Sequence, residues 1–314
     1  MFLPFIYIIA GFGLLYVGAE LLVRGGGGIA RYAGMSPLVV GLTVVAFGTS
    51  SPELLASGTA VWLGQPDIAV ANVVGSNIGN IALILGLAAI IHPISVSARL
   101  IKIEIPLLIV VTAGVAALLY TESLNVLAGT GLLVGLVLYT SLSIWRARQE
   151  PLVVKTQLTG TSPRPSSSFW RHLAAAILGL AMLGLGAHLF VSGAITTAET
   201  LGVSDWLIGV TLVAIGTSLP ELAATLVAAL RGHTDIAVGN IIGSNLFNLL
   251  GILGPVAMLI PLKEVSVDLV DLAFLTGLSL ALLPLMRTGW SLSRREGALL
   301  ILLYVGYIGF LITA

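Results

Sequence analysis

Two stretches of thirteen residues, 168 positions apart, decide the fold of this 314-residue chain. Gly41–Glu53 reads GLTVVAFGTSSPE, and Gly209–Glu221 reads GVTLVAIGTSLPE. Around them, 28 of the 58 positions in 36–93 are identical to those in 204–261, without a gap. Such self-similarity indicates that the chain consists of two related halves.

The composition selects the solvent in which these halves fold. Hydrophobic residues make up 57% of the chain and charged residues 9%, whereas soluble domains carry about 25% charged residues. Fourteen acids and fourteen bases cannot cover a soluble surface of this size, so we predict a protein of the lipid bilayer. The zero net charge argues against nucleic-acid binding. Without cysteine there is no thiolate metal site.

The apolar stretches predict ten transmembrane helices in an all-α membrane protein. The first is full length and lacks a basic start and a small-residue cleavage site, so we do not expect a cleaved signal. The predicted spans are 4–23, 37–63, 69–92, 103–120, 125–145, 172–195, 206–230, 237–260, 270–286 and 296–313.

The basic residues predict the orientation of these spans. Of the fourteen Lys and Arg, all but Lys263 fall in the loops that follow odd-numbered spans. By the positive-inside rule these loops are cytoplasmic, and both termini lie outside. The stretch 151–171 contains the Pro- and Ser-rich run 159–168 and is predicted to be a short cytoplasmic linker.

Five spans in each half give the halves opposite orientations in the membrane. We therefore divide the chain into a first five-helix repeat at 1–150 and a second, inverted repeat at 172–314, with the matching motifs at 36–93 and 204–261. Inverted repeats with broken helices at mid-membrane are typical of secondary transporters. Packing alone explains the repeated small residues, but it does not explain two glutamates near the middle of their spans.

Glu53 and Glu221 are the residues that indicate chemistry. A charge at the bilayer centre is costly and persists with partners, water or a function. Thr and Ser lie four and three residues before each acid, which places them on its helix face, and each Pro before the acid removes a helix hydrogen bond. Carbonyl groups near Ala46 and Ala214 thereby become candidate free acceptors. Carboxylate, hydroxyl, amide and carbonyl oxygens suit sodium, calcium or magnesium.

At this point the sequence resembles a known family. The motif Gly-Thr-Ser-x-Pro-Glu at 48–53 and 216–221, followed each time by Gly-Ser-Asn-x-x-Asn at 75–80 and 243–248, is similar to the two alpha-repeats of the sodium/calcium exchanger family, in its prokaryotic type. The resemblance covers nearly the whole chain. The proton/calcium branch usually has Gly-Asn-x-x-Glu before the acid, which this chain lacks.

The resemblance implies a ligand role for each matching residue. Calcium would be held by Glu53, Glu221, Thr49 and Thr217. One sodium site would be lined by Ala46, Ser50 and Ser76, its symmetry mate by Ala214, Ser218 and Ser244, and Asn80 and Asn248 would complete the centre. Relatives often have Asp where this chain has Asn248, which lowers the expectation of potassium dependence.

Residues outside these motifs have weaker signals. Glu20 and His188 align at the same offset of 168, and we favour an interface position for them over a proton-sensitive role. Asp67 and Asp235 are interpreted as helix caps. Family members move the first and sixth helices, and Gly25–Gly28 is a candidate hinge for such a motion.

We therefore predict an antiporter that exchanges sodium for calcium by alternating access. Two ionised Glu balance one Ca²⁺ or two Na⁺, and a third Na⁺ would make the exchange electrogenic. A proton/calcium exchanger and a passive cation channel remain alternatives, because both could use the same oxygens. An enzyme is the least favoured reading, since no nucleophile–base pair is present. We expect no cofactor. The expected partners are Na⁺, Ca²⁺ and the lipid bilayer, the oligomeric state stays open, and the expected location is a prokaryotic inner membrane.

Overall fold

The computed structural model describes residues 2–149, 169–201, 214–259 and 268–313. These ranges are helical apart from short turns and one small sheet, in which β1 (Ile94–Ser95) pairs antiparallel with β2 (Ser291–Leu292). The helices are α1 (Phe2–Ala33), α2 (Pro37–Thr49), α3 (Ser51–Trp62), α4 (Pro66–Ile91), α5 (Leu100–Tyr120), α6 (Val126–Gln149), α7 (Phe169–Thr200), α8 (Ala214–Thr217), α9 (Leu219–Leu230), α10 (Thr234–Leu259), α11 (Leu269–Arg287) and α12 (Arg294–Thr313).

The predicted all-α, multi-pass membrane architecture is confirmed. Eight of the described helices are long and apolar enough to cross a membrane, and the bent pair α2 and α3 provides a ninth candidate span. The predicted seventh span, 206–230, is described only from residue 214 onward. The linker prediction concerns residues that lie outside the described ranges up to position 168. The count of ten therefore stays a prediction.

Helices α1 and α7, which begin the two repeats, pack against each other antiparallel through glycines. A Cβ atom at Gly18 would lie 2.8 Å from the carbonyl oxygen of Gly179, and one at Gly186 would lie 2.8 Å from the backbone nitrogen of Leu15. Only glycine permits backbones to approach so closely. The positions Gly18 and Gly186 are equivalent in the two repeats, so equivalent helices meet in opposite directions.

Helix α4 packs against α12, and helix α10 packs against α6. Gly86 of α4 faces the carbonyl oxygen of Gly297 in α12, and Gly254 of α10 faces the carbonyl oxygen of Gly129 in α6. Helix α10 is wholly buried in its most apolar window, whereas α6 and α12 are mostly exposed. The helices that contain the two motifs thus form the centre of the protein, and helices α5, α6, α11 and α12 surround it.

The outer surface is apolar, as a lipid-facing surface requires. Large hydrophobic side chains such as Phe12, Trp62 and Leu302 are more than three-fifths exposed. Buried polar side chains concentrate in the motif helices instead, where Glu53, Glu221, Asn80 and Asn248 are completely covered. This distribution is the reverse of that in a soluble protein, because the polar side chains of the motifs lie in the interior.

The hinge at Gly25–Gly28 stays a prediction, because this conformation shows the segment only in a continuous helix. Helix α1 continues through these residues to Ala33. A Cβ atom at Gly25 would lie 2.7 Å from the backbone nitrogen of Ala176, and one at Gly28 would overlap the His172 ring. These glycines permit close packing of α1 on α7, and the backbone does not bend there.

Candidate functional site: a buried oxygen cluster at the helix breaks

The motif helix of each repeat breaks immediately before its glutamate. In the first repeat, α2 and α3 meet at Ser50 with a bend of 42°, and Ser50 has φ −83° and ψ 5°. In the second repeat, Ser218 has nearly the same conformation at φ −88° and ψ 6°. Proline in the first turn of the following helix cannot continue the preceding hydrogen-bond ladder. The break therefore follows from the Ser-x-Pro-Glu sequence.

The break places each acid at the start of a new helix. Glu53 lies in the first turn of α3, and Glu221 lies in the first turn of α9. The amino end of a helix carries a partial positive charge, which stabilises a carboxylate. Both residues are completely buried, so this helix-end effect acts with little screening by water.

Each acid is bonded to the serine of the other repeat. Ser50 donates to Oε1 of Glu221 at 2.8 Å, and Ser218 donates to Oε1 of Glu53 at 3.1 Å. The second carboxyl oxygen, Oε2, of both acids is buried without a hydrogen-bond partner among the described residues. Each carboxyl group is thus oriented by one oxygen and retains the other for a ligand.

Two further oxygens of this kind come from the asparagines of the motifs. Asn80 donates through Nδ2 to Oδ1 of Asn245 at 3.1 Å, while its own Oδ1 is buried and has no partner in the part of the chain that is described. Both polar atoms of Asn248 are in the same condition within those ranges. Asn80 lies in a π-helical turn at Gly79–Ile84, and Asn248 begins another at Asn248–Ile252. Such turns are frequent at functional sites.

We call the following set of buried or partly buried residues the central oxygen cluster. They share carboxylate, hydroxyl or amide oxygens and lie on the two helix breaks and on α4 and α10: Glu53, Glu221, Thr49, Thr217, Ser50, Ser218, Ser76, Ser244, Asn80 and Asn248. All were predicted as site residues. Of the two remaining predicted residues, Ala46 is buried in α2 and Ala214 begins α8.

The hydrogen bonds group the serines differently from the grouping that the resemblance implies. Ser218 lies 3.4 Å from Ser76 as well as bonding Glu53, whereas Ser50 bonds Glu221. Thr49 lies 3.5 Å from Ser244. Ser50 and Ser218 thus exchange places relative to the expected sets. The helix break causes this difference. Ser50 would lie on the same helix face as Glu53 only if the helix continued through both residues.

The carbonyl group of Ala46 is also not free, contrary to our expectation. It accepts the backbone N–H of Ser50 at 3.0 Å and lies 3.3 Å from the hydroxyl of Thr49. The proline removes its own N–H, but the ladder survives as far as Ser50. One lone pair of the carbonyl oxygen is therefore engaged by the backbone.

Sequence reasoning missed a second layer of polar residues behind the cluster. Asn240 accepts from the hydroxyl of Thr49 at 3.1 Å and donates to Thr225 at 3.0 Å. In the other repeat, Asn72 accepts from Thr217 at 3.5 Å and donates to Ser57 at 3.0 Å. Asn72 and Asn240 are equivalent positions at the offset of 168. This repeated asparagine is the sequence feature that could have identified the second layer.

The cluster is not equally covered on its two sides. Thr49 and Asn240 are fully buried, whereas their counterparts Thr217 and Asn72 are partly exposed. In the predicted topology, Thr217 and Asn72 lie on the outer side of the glutamates and Thr49 lies on the inner side. The cluster is therefore more accessible from the predicted outer side.

The structure also shows where three residues outside the cluster lie, for which the sequence predicted an interface position or a capping role. Glu20 of α1 forms ion pairs with Arg24 at 2.5 Å and with Arg231, in the turn between α9 and α10, at 2.9 Å, which agrees with the favoured interface position. The capping prediction is wrong, since the residues at the N-caps of α4 and α10 are Gln65 and His233. Asp67 and Asp235 lie in the first turns instead.

A polytopic helical membrane protein with buried acids at paired helix breaks belongs to the class of secondary transporters. Comparison with known proteins identifies the family. The sequence model of the family described as sodium/calcium exchanger protein matches residues 3–145 and 171–313. The chain belongs to this family, and it is a multi-pass membrane antiporter for ions.

Relatives extend over the whole length of the chain. It is 40% identical to the putative antiporter CaxA of Alkalimonas amylolytica, with 98% of both chains covered. It is 33% identical to the sodium/calcium exchanger MaX1 of Methanosarcina acetivorans, with 97% of both covered. The solved structure of the sodium-calcium exchanger NCX_Mj soaked with zero Na⁺ and Ca²⁺ matches with a TM-score of 0.86 at 35% identity, covering 98% of this chain and 99% of that one.

Proposed function

We propose that this protein exchanges Na⁺ for Ca²⁺ at the central oxygen cluster by alternating access. The observation that carries the proposal is the pair of buried acids, each held by a serine of the opposite repeat and each with one unpartnered oxygen within the described ranges. Two ionised carboxylates give a charge of −2, which one Ca²⁺ or two Na⁺ neutralise. A buried charge pair of one sign requires such compensation.

The proposed ligands follow the contacts of the structure. Calcium is held by Glu53, Glu221, Thr49 and Thr217, whose oxygens are of the hard type that calcium prefers. One sodium site contains Glu53, Ser76 and Ser218, with the carbonyl of Ala46. The other contains Glu221, Ser50 and Ser244, with the carbonyl of Ala214. Asn80 and Asn248 complete the centre between them.

Two contacts support ten spans with inverted repeats. Strand β1 follows the third predicted span and pairs with β2 after the ninth. The two strands therefore lie on the same side of the membrane, so the chain between them must cross the membrane an even number of times. Five described helices and the predicted seventh span give six crossings, and the ion pair of Glu20 with Arg231 likewise requires an even number of crossings between its two residues. The antiparallel packing of α1 on α7 supports the inversion. With both termini outside, a tag on the C-terminus should be accessible to protease only from the exterior.

The solved structures support the choice of ions. The NCX_Mj structures concern extracellular ion exchange and include soaks with Na⁺, Ca²⁺ and Sr²⁺. By analogy, we propose that this conformation exchanges ions with the outer side, where Thr217 and Asn72 are partly exposed. The bacterial and archaeal relatives support a prokaryotic cell membrane, and we propose the inner membrane.

The decisive experiment measures calcium uptake into proteoliposomes that contain the purified protein. An outward sodium gradient should drive uptake, and a negative interior potential should change its rate if more than two Na⁺ move per Ca²⁺. A proton gradient of the same size should not replace sodium. Uptake driven by protons would assign the protein to proton/calcium exchange, and flux without any counter-gradient would indicate a channel.

A further inference from the structure

We propose that Asn240 and Asn72 are positioning residues that set the direction of the threonine hydroxyl groups of the opposite repeat. The proposal rests on the function proposed above and deepens it, since it concerns residues that do not themselves coordinate the ion. Asn240 belongs to α10 and acts on Thr49, while Asn72 belongs to α4 and acts on Thr217. The two pairs are related by the offset of 168.

The hydroxyl group of threonine has one hydrogen and two lone pairs. Beside a cation, a lone pair must face the ion, and the hydrogen must find an acceptor elsewhere. For Thr49 the nearest acceptor is Oδ1 of Asn240 at 3.1 Å. The alternatives are the carbonyl oxygen of Ala46 at 3.3 Å, the hydroxyl of Ser244 at 3.5 Å and the carboxyl group of Glu221. All of these groups belong to the proposed ion sites.

Asn240 therefore protects the oxygens of the cluster from competition. While Thr49 donates its hydrogen bond to Oδ1 of Asn240, the second lone pair of the Ala46 carbonyl and the hydroxyl oxygen of Ser244 remain available to a cation. Without Asn240, the hydrogen of Thr49 would turn to one of these oxygens. The Ala46 carbonyl already accepts from the backbone N–H of Ser50, so it must lose a second hydrogen bond from Thr49 before it binds an ion.

The amide group of Asn240 also contacts a second hydroxyl group. Its Nδ2 donates to Oγ1 of Thr225 at 3.0 Å, which leaves Oδ1 to accept the hydrogen of Thr49. Both polar atoms of Asn240 are thus engaged, and the residue is fully buried. It can act on the ion only through Thr49.

The other repeat contains the same arrangement with one additional bond. Nδ2 of Asn72 donates to Oγ of Ser57 at 3.0 Å and lies 3.4 Å from the carbonyl oxygen of Glu53. Its Oδ1 accepts from Thr217 at 3.5 Å. Asn72 therefore links the outer threonine of the second repeat to the backbone of the glutamate of the first. Second-layer groups of this kind orient the ligands of metal ions.

The test is a double-mutant cycle on sodium-driven calcium uptake and on calcium binding measured by calorimetry. Asn240→Ala should raise the half-saturating Ca²⁺ concentration about 10- to 100-fold, the usual effect of removing a second-layer partner. In the Thr49→Val background the same substitution should add less than about twofold, because residues that act through one another are not additive. With Thr217→Val the two effects should multiply. For Asn72→Ala we expect the opposite pattern: its effect on calcium affinity should be non-additive with Thr217→Val and should multiply with Thr49→Val.

Controls separate positioning from a loss of folding. Thr112→Val removes a buried hydroxyl that bonds Ser279 away from the cluster, and it should leave calcium affinity unchanged. If Asn240→Ala does not fold, Thr225→Val removes the partner of its amide and should weaken calcium binding in the same direction, again only when Thr49 is present.

Two results would overturn the proposal while leaving sodium/calcium exchange intact. One is wild-type calcium affinity in folded Asn240→Ala. The other is an effect of Asn240→Ala that multiplies equally with Thr49→Val and with Thr217→Val. Absence of sodium-driven uptake by the wild-type protein would instead refute the proposed function, and the coupling in calcium binding would still decide the role of Asn240.

Discussion

Ser50 donates a hydrogen bond of 2.8 Å to the carboxyl oxygen Oε1 of Glu221, which lies 171 residues further along the chain. Ser218 and Glu53 repeat this contact in the opposite sense. Each repeat therefore supplies the acid of one half of the site and the hydroxyl that orients the acid of the other half. Neither repeat can assemble a complete site alone, and a relative movement of the two motifs would alter both carboxyl groups at once.

Neutralising either acid should abolish exchange. In Glu53→Gln or Glu221→Gln the side chain keeps its size and can still accept from its serine, but the cluster loses half of its negative charge. A divalent ion would then be buried without balance, which is strongly unfavourable. Calcium uptake in proteoliposomes should fall by at least about 100-fold, equivalent to about 2.7 kcal/mol. The exposed acid Glu122 provides the control, and Glu122→Gln should transport normally. Wild-type flux in either cluster mutant would refute the assignment.

Removal of the crossed hydrogen bonds should weaken the two sodium sites separately. Ser50→Ala should affect the site that contains Glu221, and Ser218→Ala the site that contains Glu53. A hydrogen bond to a charged group contributes about 1.5–3 kcal/mol, so the half-saturating sodium concentration should rise by roughly 10-fold or more in each case. Ser51 is a matched control, because its hydroxyl bonds the carbonyl of Phe47 in the same repeat. Ser51→Ala should leave sodium dependence unchanged, and an equal effect in all three variants would contradict the grouping.

The sequence was sufficient for those features that depend on local chemistry. Ser-x-Pro-Glu forces a helix break in both repeats, and the break lies at Ser50 and Ser218. The buried position of the acids follows from their place in apolar spans, and the motif residues do assemble into one cluster. These features needed only the repeat, the properties of proline and the cost of a buried charge.

Features that depend on contacts between the repeats could not be predicted in the same way. The grouping of Ser50 with Glu53 assumed a continuous helix, whereas the break turns Ser50 toward Glu221. Asn240 was visible as a repeated residue, but its role depends on Thr49, 191 positions away in the chain. The close approach of Gly25 to Ala176 could likewise not be predicted, because it depends on a contact between α1 and α7. Pairings at such distances depend on the relative placement of whole helices.

Replacement of Asn248 by aspartate should change ion selectivity or pH dependence more than folding. Both polar atoms of Asn248 are buried and lack a hydrogen-bond partner within the described ranges, so the substitution adds a third acid to the cluster without breaking a bond there. Competition between protons, sodium, potassium and calcium should shift in uptake assays at different pH values. Asn125→Asp is the control, since this exposed residue accepts the backbone N–H groups of Leu127 and Ala128 and aspartate caps helices equally well. An unchanged ion and pH profile in Asn248→Asp would show that this position does not face the transported ions.

The ion pair between Glu20 and Arg231 should stabilise this conformation relative to its inverted counterpart. Helix α1 packs along α9, and the pair joins the two elements at 2.9 Å on the predicted cytoplasmic side. If the repeats exchange conformations during transport, the equivalent contact joins His188 to Leu63, which cannot form an ion pair. Glu20→Gln should therefore shift the equilibrium toward the inward-facing state.

The shift can be measured because the chain has no cysteine. Spin labels on single cysteines introduced at Tyr7 and Leu63 report the distance between α1 and the end of α3, and Glu20→Gln should change the ratio of its populations. Exposed ion pairs contribute little to stability, so the expected change in the ratio is at most a few-fold. Arg24→Gln is the matched control, because the ion pair of Arg24 with Glu20 lies within α1. Identical distance distributions in Glu20→Gln and wild type would show that the pair does not select a conformation.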